Sequence, residues 1–482
     1  MKKAFTVFLF AVALAGASLV VARQSGGSSS SGLNREIPMT PPAPNQAALD
    51  RYSWESFIAL NQVALLDTKG RPVRDPRFPN GVSDPKKNIG DSGPRVWEGL
   101  KADYELFQDK KGANPAPWTD YDYVDPCSGA EFHGAPKALS MIAKGNNVIT
   151  GAVNQAMGGP LVDQFGRYVR YEVRSNELYY TYVASNQLYI RDELDKKHRW
   201  PKPAVKFPIS IPTENKYGAL EVKAAWKVLD EKDDASRYYT TEAVIFDPKT
   251  HKCGQPQTLG MVGLHILQKV SGFNSWIWST FEHVDNVPCD AATQVCAPPP
   301  PNGLYAFATA ADAVNPPKDG YKPDTAWRPV AAAALPSEPA PKTTVVRVTP
   351  LPKRITDLNA EMQALTGIRG TVWEHYQLID TQWPVNGGGA VVVDDPRTAP
   401  SHAKYETNAL KPAPLDTVAN TSMESFYQLN TNPMPSPAPK NKLAKTFGSS
   451  CMQCHYFSAQ YDFSWTLPDQ SYPPSRAALP KQ

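Results

Sequence analysis

No basic or acidic tract interrupts this chain, and its formal charge is only +3 over 482 residues. Two of its cations, Lys2 and Lys3, stand at the start of an apolar segment, so the rest is near neutral. Nucleic acids and other polyanions need clustered cations, so the charge pattern argues against such a partner. Cysteine is scarce, at six residues, and none stands directly after the N-terminal apolar run, which argues against a lipoprotein anchor. Proline and tryptophan are plentiful instead, at 47 and 11 residues. They point to a rigid, loop-rich protein with large aromatic contacts rather than a disordered one.

Lys2-Lys3 followed by the apolar or small residues Ala4 to Val21 reads as a secretory signal. Val20-Val21-Ala22 offers a small-residue cleavage site, with Ala15-Gly16-Ala17 as a second choice. The run of about 18 residues is at the lower limit for spanning a bilayer. Its Ala and Gly content and the soluble-looking sequence beyond it favour cleavage. The expectation is a bacterial periplasmic or secreted chain with no membrane span left. Residues 1–22 form the signal and 23–48 a flexible linker that begins with a Ser/Gly-rich tether.

In an oxidising compartment each cysteine needs a role. Cys451 and Cys454 belong to a motif. Cys289 and Cys296 close a short loop before Pro298 and are paired with each other, leaving Cys127 for Cys253. Other pairings of these four also fit the sequence.

Apolar residues at three- and four-residue spacing (Leu49, Tyr52, Ser56, Leu60, Ala64) predict a helix, and Val96 to Phe107 predicts a second. Arg71 to Pro94 reads as a loop. From about Tyr168 the period becomes two. It predicts strands at Tyr168–Val173, Val205–Ile211, Leu220–Val228, Tyr239–Phe246, Leu259–Leu267 and Trp276–Phe281. The fold class expected is α+β and β-rich, an antiparallel sheet or sandwich with flanking helices and a small C-terminal motif-bearing segment. Residues 49–296 form the main domain. Residues 297–352, with 13 prolines in 56 positions, form an extended crossing with a strand at Thr343–Val348. In the C-terminal region, 353–482, Ile355, Leu358, Met362 and Leu365 mark a helix that Gly367 should end, and Ser422–Leu429 a short one. Ser53–Asn61 and Ser422–Asn430 agree at six of nine places, which reads as two helices with similar caps.

Cys451-Met452-Gln453-Cys454-His455 is the strongest chemical signal. Two thiols at this spacing can add across the vinyl groups of haem as thioethers, and the adjacent imidazole can ligate the iron. A thioredoxin-type dithiol would open a helix after a strand, a pattern missing here. A zinc site would need further ligands, and none lies nearby. The expectation is one covalent haem c, with Cys451 and Cys454 attached and His455 as proximal ligand. The 27 residues after His455 contain neither Met nor His, so any distal ligand comes from earlier in the chain. His265, His283 and Met423 are the candidates. In the strand around His265, Met261 and Gly263 share its side and leave room for a flat macrocycle. His283 ends an aromatic strand, and Met423 lies one linker before the motif. His375 is a weaker candidate.

With Met423-Glu-Ser-Phe426, Ser449-Ser-Cys-Met-Gln-Cys-His455, Trp276-Ile-Trp-Ser-Thr-Phe-Glu-His283 and Thr381-Gln-Trp-Pro384 assembled, the chain resembles a group of large exported bacterial proteins. These are labelled "cytochrome c family protein". The resemblance implies a monohaem exported protein and no particular activity.

Two functions compete on these residues. An electron carrier would enclose the iron between His455 and an upstream ligand and meet a redox partner protein. A haem-dependent peroxidase or oxygenase would keep the distal side open to a small-molecule oxidant, with His265, Glu282 or His283 as acid/base groups.

Overall fold

A computed structural model describes residues 32–107, 114–121, 137–139, 160–199, 202–247, 252–273, 276–292, 298–317, 320–323, 336–384, 412–413, 418–425, 428, 451 and 455–471. The signal segment, Cys127, Cys296 and Cys454 lie outside them, as does the side chain of Cys253.

The α+β, β-rich expectation holds. Nine strands form one sheet: β1 (Lys101–Ala102), β2 (Lys137–Leu139), β3 (Arg170–Ser175), β4 (Leu220–Val228), β5 (Thr240–Asp247), β6 (Lys252–Gln268), β7 (Ile277–His283), β10 (Tyr376–Pro384) and β11 (Pro412–Ala413). A separate pair, β8 (Tyr321–Pro323) and β9 (Thr343–Val345), stands apart. The main path runs β1-β3-β4-β6-β7-β10-β11, and every pairing on it is antiparallel. β5 branches from the path, pairing with β6 and, in parallel, with β2. β6 is 17 residues long, which lets its first part pair with β5 while its last part lies between β4 and β7. Residues on both sides of the proline-rich crossing therefore share one sheet.

Side chains alternate between the two sides of a strand, and partners identify each face. Phe281 and Ser279 face α1 (Gln46–Leu60): Phe281 stacks on Phe57 at 4.3 Å, and Ser53 Oγ lies 2.7 Å from Ser279 Oγ. Trp278, Thr280 and Glu282 point the other way, toward residues 418–425 and 455–471. A helical segment covers one face and irregular chain the other. Among the described residues the only other sheet is the two-stranded β8–β9 pair, too small to make a sandwich.

α1 forms where the spacing predicts it. The Asn45 side chain accepts from Ala48 N at its start, and Asn61 Nδ2 donates to Phe57 O at its end. α5 (Lys353–Gln363) also follows its pattern and stops before Gly367, which adopts φ +94°. Asn359 of α5 accepts from Trp54 Nε1 at 2.9 Å and donates to Leu378 O at 2.9 Å, locking α1, α5 and β10 together.

Three expectations fail. Val96–Phe107 is not one helix but a 3₁₀ turn (Val96–Gly99), β1 and the short α2 (Asp103–Leu106). Trp97 and Leu100 are both fully buried in the main core, and the turn ends at Gly99, after which the chain enters β1. Val205–Ile211 is coil, bounded by Pro203 and Pro212 and interrupted by Pro208; its Val205 and Phe207 are core while Ile209 is exposed. Among the described residues 421–425 form turns rather than a helix. The periodicity also missed α3 (Glu177–Ser185) and α4 (Arg191–His198). In α3 the tyrosine-rich sequence suits a strand, but the Asn176 side chain accepts from Tyr179 N and nucleates a helix.

Phe57 is fully buried between Phe281, Trp54, Trp373 and Tyr376. Phe57→Ala is expected to lower unfolding free energy by about 3–5 kcal/mol. Urea titration followed by tryptophan fluorescence checks this, and a loss below about 1 kcal/mol would contradict the packing described.

Candidate functional site

Both Cys451 and His455 have helical backbone. Cys451 is half-buried against the main core. His455 is half-buried beside Trp278 of β7, with ring centroids 6.1 Å apart. His455 Nδ1 lies 2.6 Å from the carbonyl oxygen of Phe463. A carbonyl can only accept, so Nδ1 carries the proton and Nε2 is the acceptor nitrogen of the ring.

The carbonyl arrives there through unusual backbone. Asp462 and Phe463 have φ +53° and +64°. A non-glycine residue in the left-handed region costs on the order of 1–3 kcal/mol. The turn is anchored all around: Phe463 N donates to Ser458 O at 3.0 Å, and Trp276 Nε1 donates to Asp462 O at 2.7 Å. Phe207 N and Lys269 Nζ meet the Asp462 carboxylate at 2.8 and 3.0 Å. Burial pushes that carboxyl above its ordinary range, and the Lys269 ammonium pulls it back only in part. The Phe463 ring meets Trp278 edge-on at 6.2 Å.

The sheet face beneath His455 is arranged in rows. Ser175, Glu221, Leu267, Trp278 and Gln382 lie side by side on β3, β4, β6, β7 and β10. Glu221 accepts from Thr466 Oγ1 at 3.1 Å, so this row lies under the segment that carries His455. Trp278 Nε1 and Ser175 Oγ are buried and have no hydrogen-bond partner among the described residues. Such groups cost about 1–3 kcal/mol each when left unmade.

His265 belongs to the next row, between Lys223 and Thr280. Its Nε2 lies 3.2 Å from Glu424 Oε1, though not in good hydrogen-bond alignment. Burial opposes ionisation of Glu424, but the His265 imidazole and the Lys223 ammonium outweigh it and hold the carboxyl below its ordinary range. Sequence reasoning did not find Glu424, although the echo with Ser53–Asn61 passes through it. The room expected at Gly263 is taken: a Cβ there would collide with Ser422 Oγ. Glycine at this position serves close approach of the 418–425 segment to the sheet.

The other candidates have structural partners. Glu282 is buried, receiving Arg347 Nη2 at 2.6 Å and both Thr421 N and Thr421 Oγ1 at 2.8 Å. His283 is fully buried and stacked on Tyr238 at 4.0 Å. Its Nδ1 accepts from Asp285 N at 3.1 Å and its Nε2 donates to Arg237 O at 3.0 Å, so both nitrogens are occupied. Met423 is fully buried in a satellite core with Tyr171, Val262 and Phe307. His375 is half-buried beside His283. Cys289 is disulfide-bonded; Cys296, Cys127 and the Cys253 side chain lie outside the described residues. No protein-family model, curated protein or solved structure matches the chain.

Burial pushes the His283 imidazole down to about 4, against the partly compensating pull of Asp285. The unfolded chain then takes up this proton near pH 6.5 and the folded one near 4. Stability attributable to His283 is therefore constant above pH 6.5 and is lost as pH falls toward 4, by up to about 3 kcal/mol. The buried carboxyl of Asp380, pushed up to about 6 by burial despite Arg354, acts in the opposite sense over the same window. His283→Gln should flatten the acid limb relative to the parent, read as the difference between their urea-derived stabilities from pH 7 to 4. Parallel profiles would mean that His283 does not titrate as its partners require.

Proposed function

We propose that this chain is an exported c-type monohaem protein whose function is electron transfer, with haem attached through Cys451 and Cys454 and His455 as proximal iron ligand. The observation that carries the reading is the 2.6 Å contact of His455 Nδ1 with the Phe463 carbonyl, next to a half-buried Cys451 four residues away. Metal-bound histidines characteristically donate their other N–H to a carbonyl or carboxylate, which fixes the tautomer and raises the basicity of the ligating nitrogen.

The residues present fit the group in two further respects. Trp278 Nε1 and Ser175 Oγ are buried donors with no partner among the described residues, on the face beneath His455, and haem brings two carboxylates able to accept from such donors. Trp278 and Phe463 supply aromatic surface of the kind a macrocycle packs against. When bound, the iron would exchange one electron between its ferric and ferrous states. The chain's contribution is to bind the iron at Nε2, to orient that ring through Phe463, and to exclude water with Trp278. Its reaction partner in this reading is a redox protein in the periplasm or outside the cell.

A second reading rests on His265 and Glu424. A histidine and a carboxylate 3.2 Å apart on the same sheet face can hold and move a proton. That pair suits a peroxidase or oxygenase in which the distal side of the iron stays open to a small-molecule oxidant.

The chain should be exported in a host competent for c-type maturation, and its ferric and ferrous optical and EPR spectra recorded with and without carbon monoxide. Covalent haem that is lost in Cys451→Ala and Cys454→Ala is the expected result. Low-spin spectra indifferent to carbon monoxide support electron transfer. High-spin ferric iron with rapid carbon monoxide binding shifts the assignment to the second reading. Absence of covalent haem overturns both.

A further inference from the structure

Phe463 touches His455 through its backbone, and its carbonyl reaches Nδ1 because residues 462 and 463 both take left-handed conformations. Neither is glycine; aspartate visits this region occasionally and as a single residue, and phenylalanine does so rarely. Something must therefore hold the pair, and the contacts converge on Asp462. Its two carboxylate oxygens receive Lys269 Nζ at 3.0 Å and Phe207 N at 2.8 Å, and its carbonyl receives Trp276 Nε1 at 2.7 Å. Lys269 immediately follows β6 and Trp276 immediately precedes β7, so the turn is tied to the strands that carry His265 and Trp278.

The chemistry at position 462 is specific. A carboxylate offers acceptors on both oxygens, which the ammonium and the Phe207 N–H together require. An asparagine offers one, and its amide would point donors at another donor. Lys269 Nζ also lies 5.6 Å from the centre of the Trp276 ring, which keeps the cation inside the same cluster.

We propose that the Lys269–Asp462 ion pair is a positioning device for His455. It holds the left-handed turn so that the Phe463 carbonyl stays on Nδ1, and thereby sets the orientation and basicity of Nε2. The inference rests on the reading of His455 as iron ligand and adds which residues tune it. A strong hydrogen bond at Nδ1 makes the imidazole a better electron donor and favours ferric iron. Loosening the turn weakens that bond and raises the reduction potential.

The test compares the parent holoprotein with Asp462→Asn, Lys269→Met, Lys269→Arg and, as a control from the opposite face, Asp380→Asn, which loses its 2.6 Å contact with Arg354. Covalent haem is measured as the pyridine haemochrome, midpoint potential by optical redox titration, and Tm by circular dichroism. Asp462→Asn and Lys269→Met should keep covalent haem and shift the one-electron equilibrium about tenfold toward ferrous, about 59 mV upward. Lys269→Arg should restore the parent potential. Asp380→Asn should lower Tm and leave the potential unchanged. If the single variants do not accumulate, the double variant Asp462→Asn/Lys269→Met leaves no unpaired buried charge and should show the same upward shift. A falling Tm with an unmoved potential in the clamp variants overturns the clamp and leaves the haem reading standing. A parent without covalent haem overturns that reading first and the clamp with it.

Discussion

Alternation along β7 and the second half of β6 governs the rest of the molecule, because both faces of these stretches are covered. Each neighbouring pair of residues must serve two environments: Phe281 the helical side with Phe57, Glu282 the loop side with Thr421. A shift of one position would exchange the two sets. The register is pinned at several points across the pairing, including Leu264 opposite Phe281 and Leu267 opposite Trp278. The same constraint puts Trp278 beneath His455 and His265 one row away.

The two irregular segments on the face opposite α1 are attached to the sheet by buried charge. Glu282 with Arg347 holds the 418–425 segment, and Asp462 with Lys269 holds the segment that contains His455. Replacing such pairs by apolar side chains is often neutral, whereas removing one partner is severe. Irregular chain has no ladder of its own to fix it, and these pairs give it one geometry on the sheet.

Much of the frame was legible in the sequence. Leu220–Val228 forms a strand at its expected bounds, and α1 and α5 follow their apolar spacing. Where reading failed, a local device overrode the pattern: an asparagine cap in α3, a glycine break after Trp97, prolines around Phe207. At the site, Cys451 and His455 were legible because their spacing carries the chemistry. Asp462 and Phe463 were not, since left-handed backbone is normally signalled by glycine and here rests on contacts with Lys269, Phe207 and Trp276. His283 and Glu282 looked available because a sequence does not display the backbone groups that occupy them.

β10 pairs with β7, yet it begins at Tyr376, long after β7 has ended at His283 and beyond the whole proline-rich crossing. A chain appearing N-terminus first exposes one long edge of β7 throughout that interval, with its amide and carbonyl groups unmatched. Such an edge is a template for any extended segment that arrives early. Distant pairing of this kind also slows folding, because loop closure precedes any gain from contact. The aromatic strand at the centre of the finished molecule is thus, during its biogenesis, the place most exposed to error.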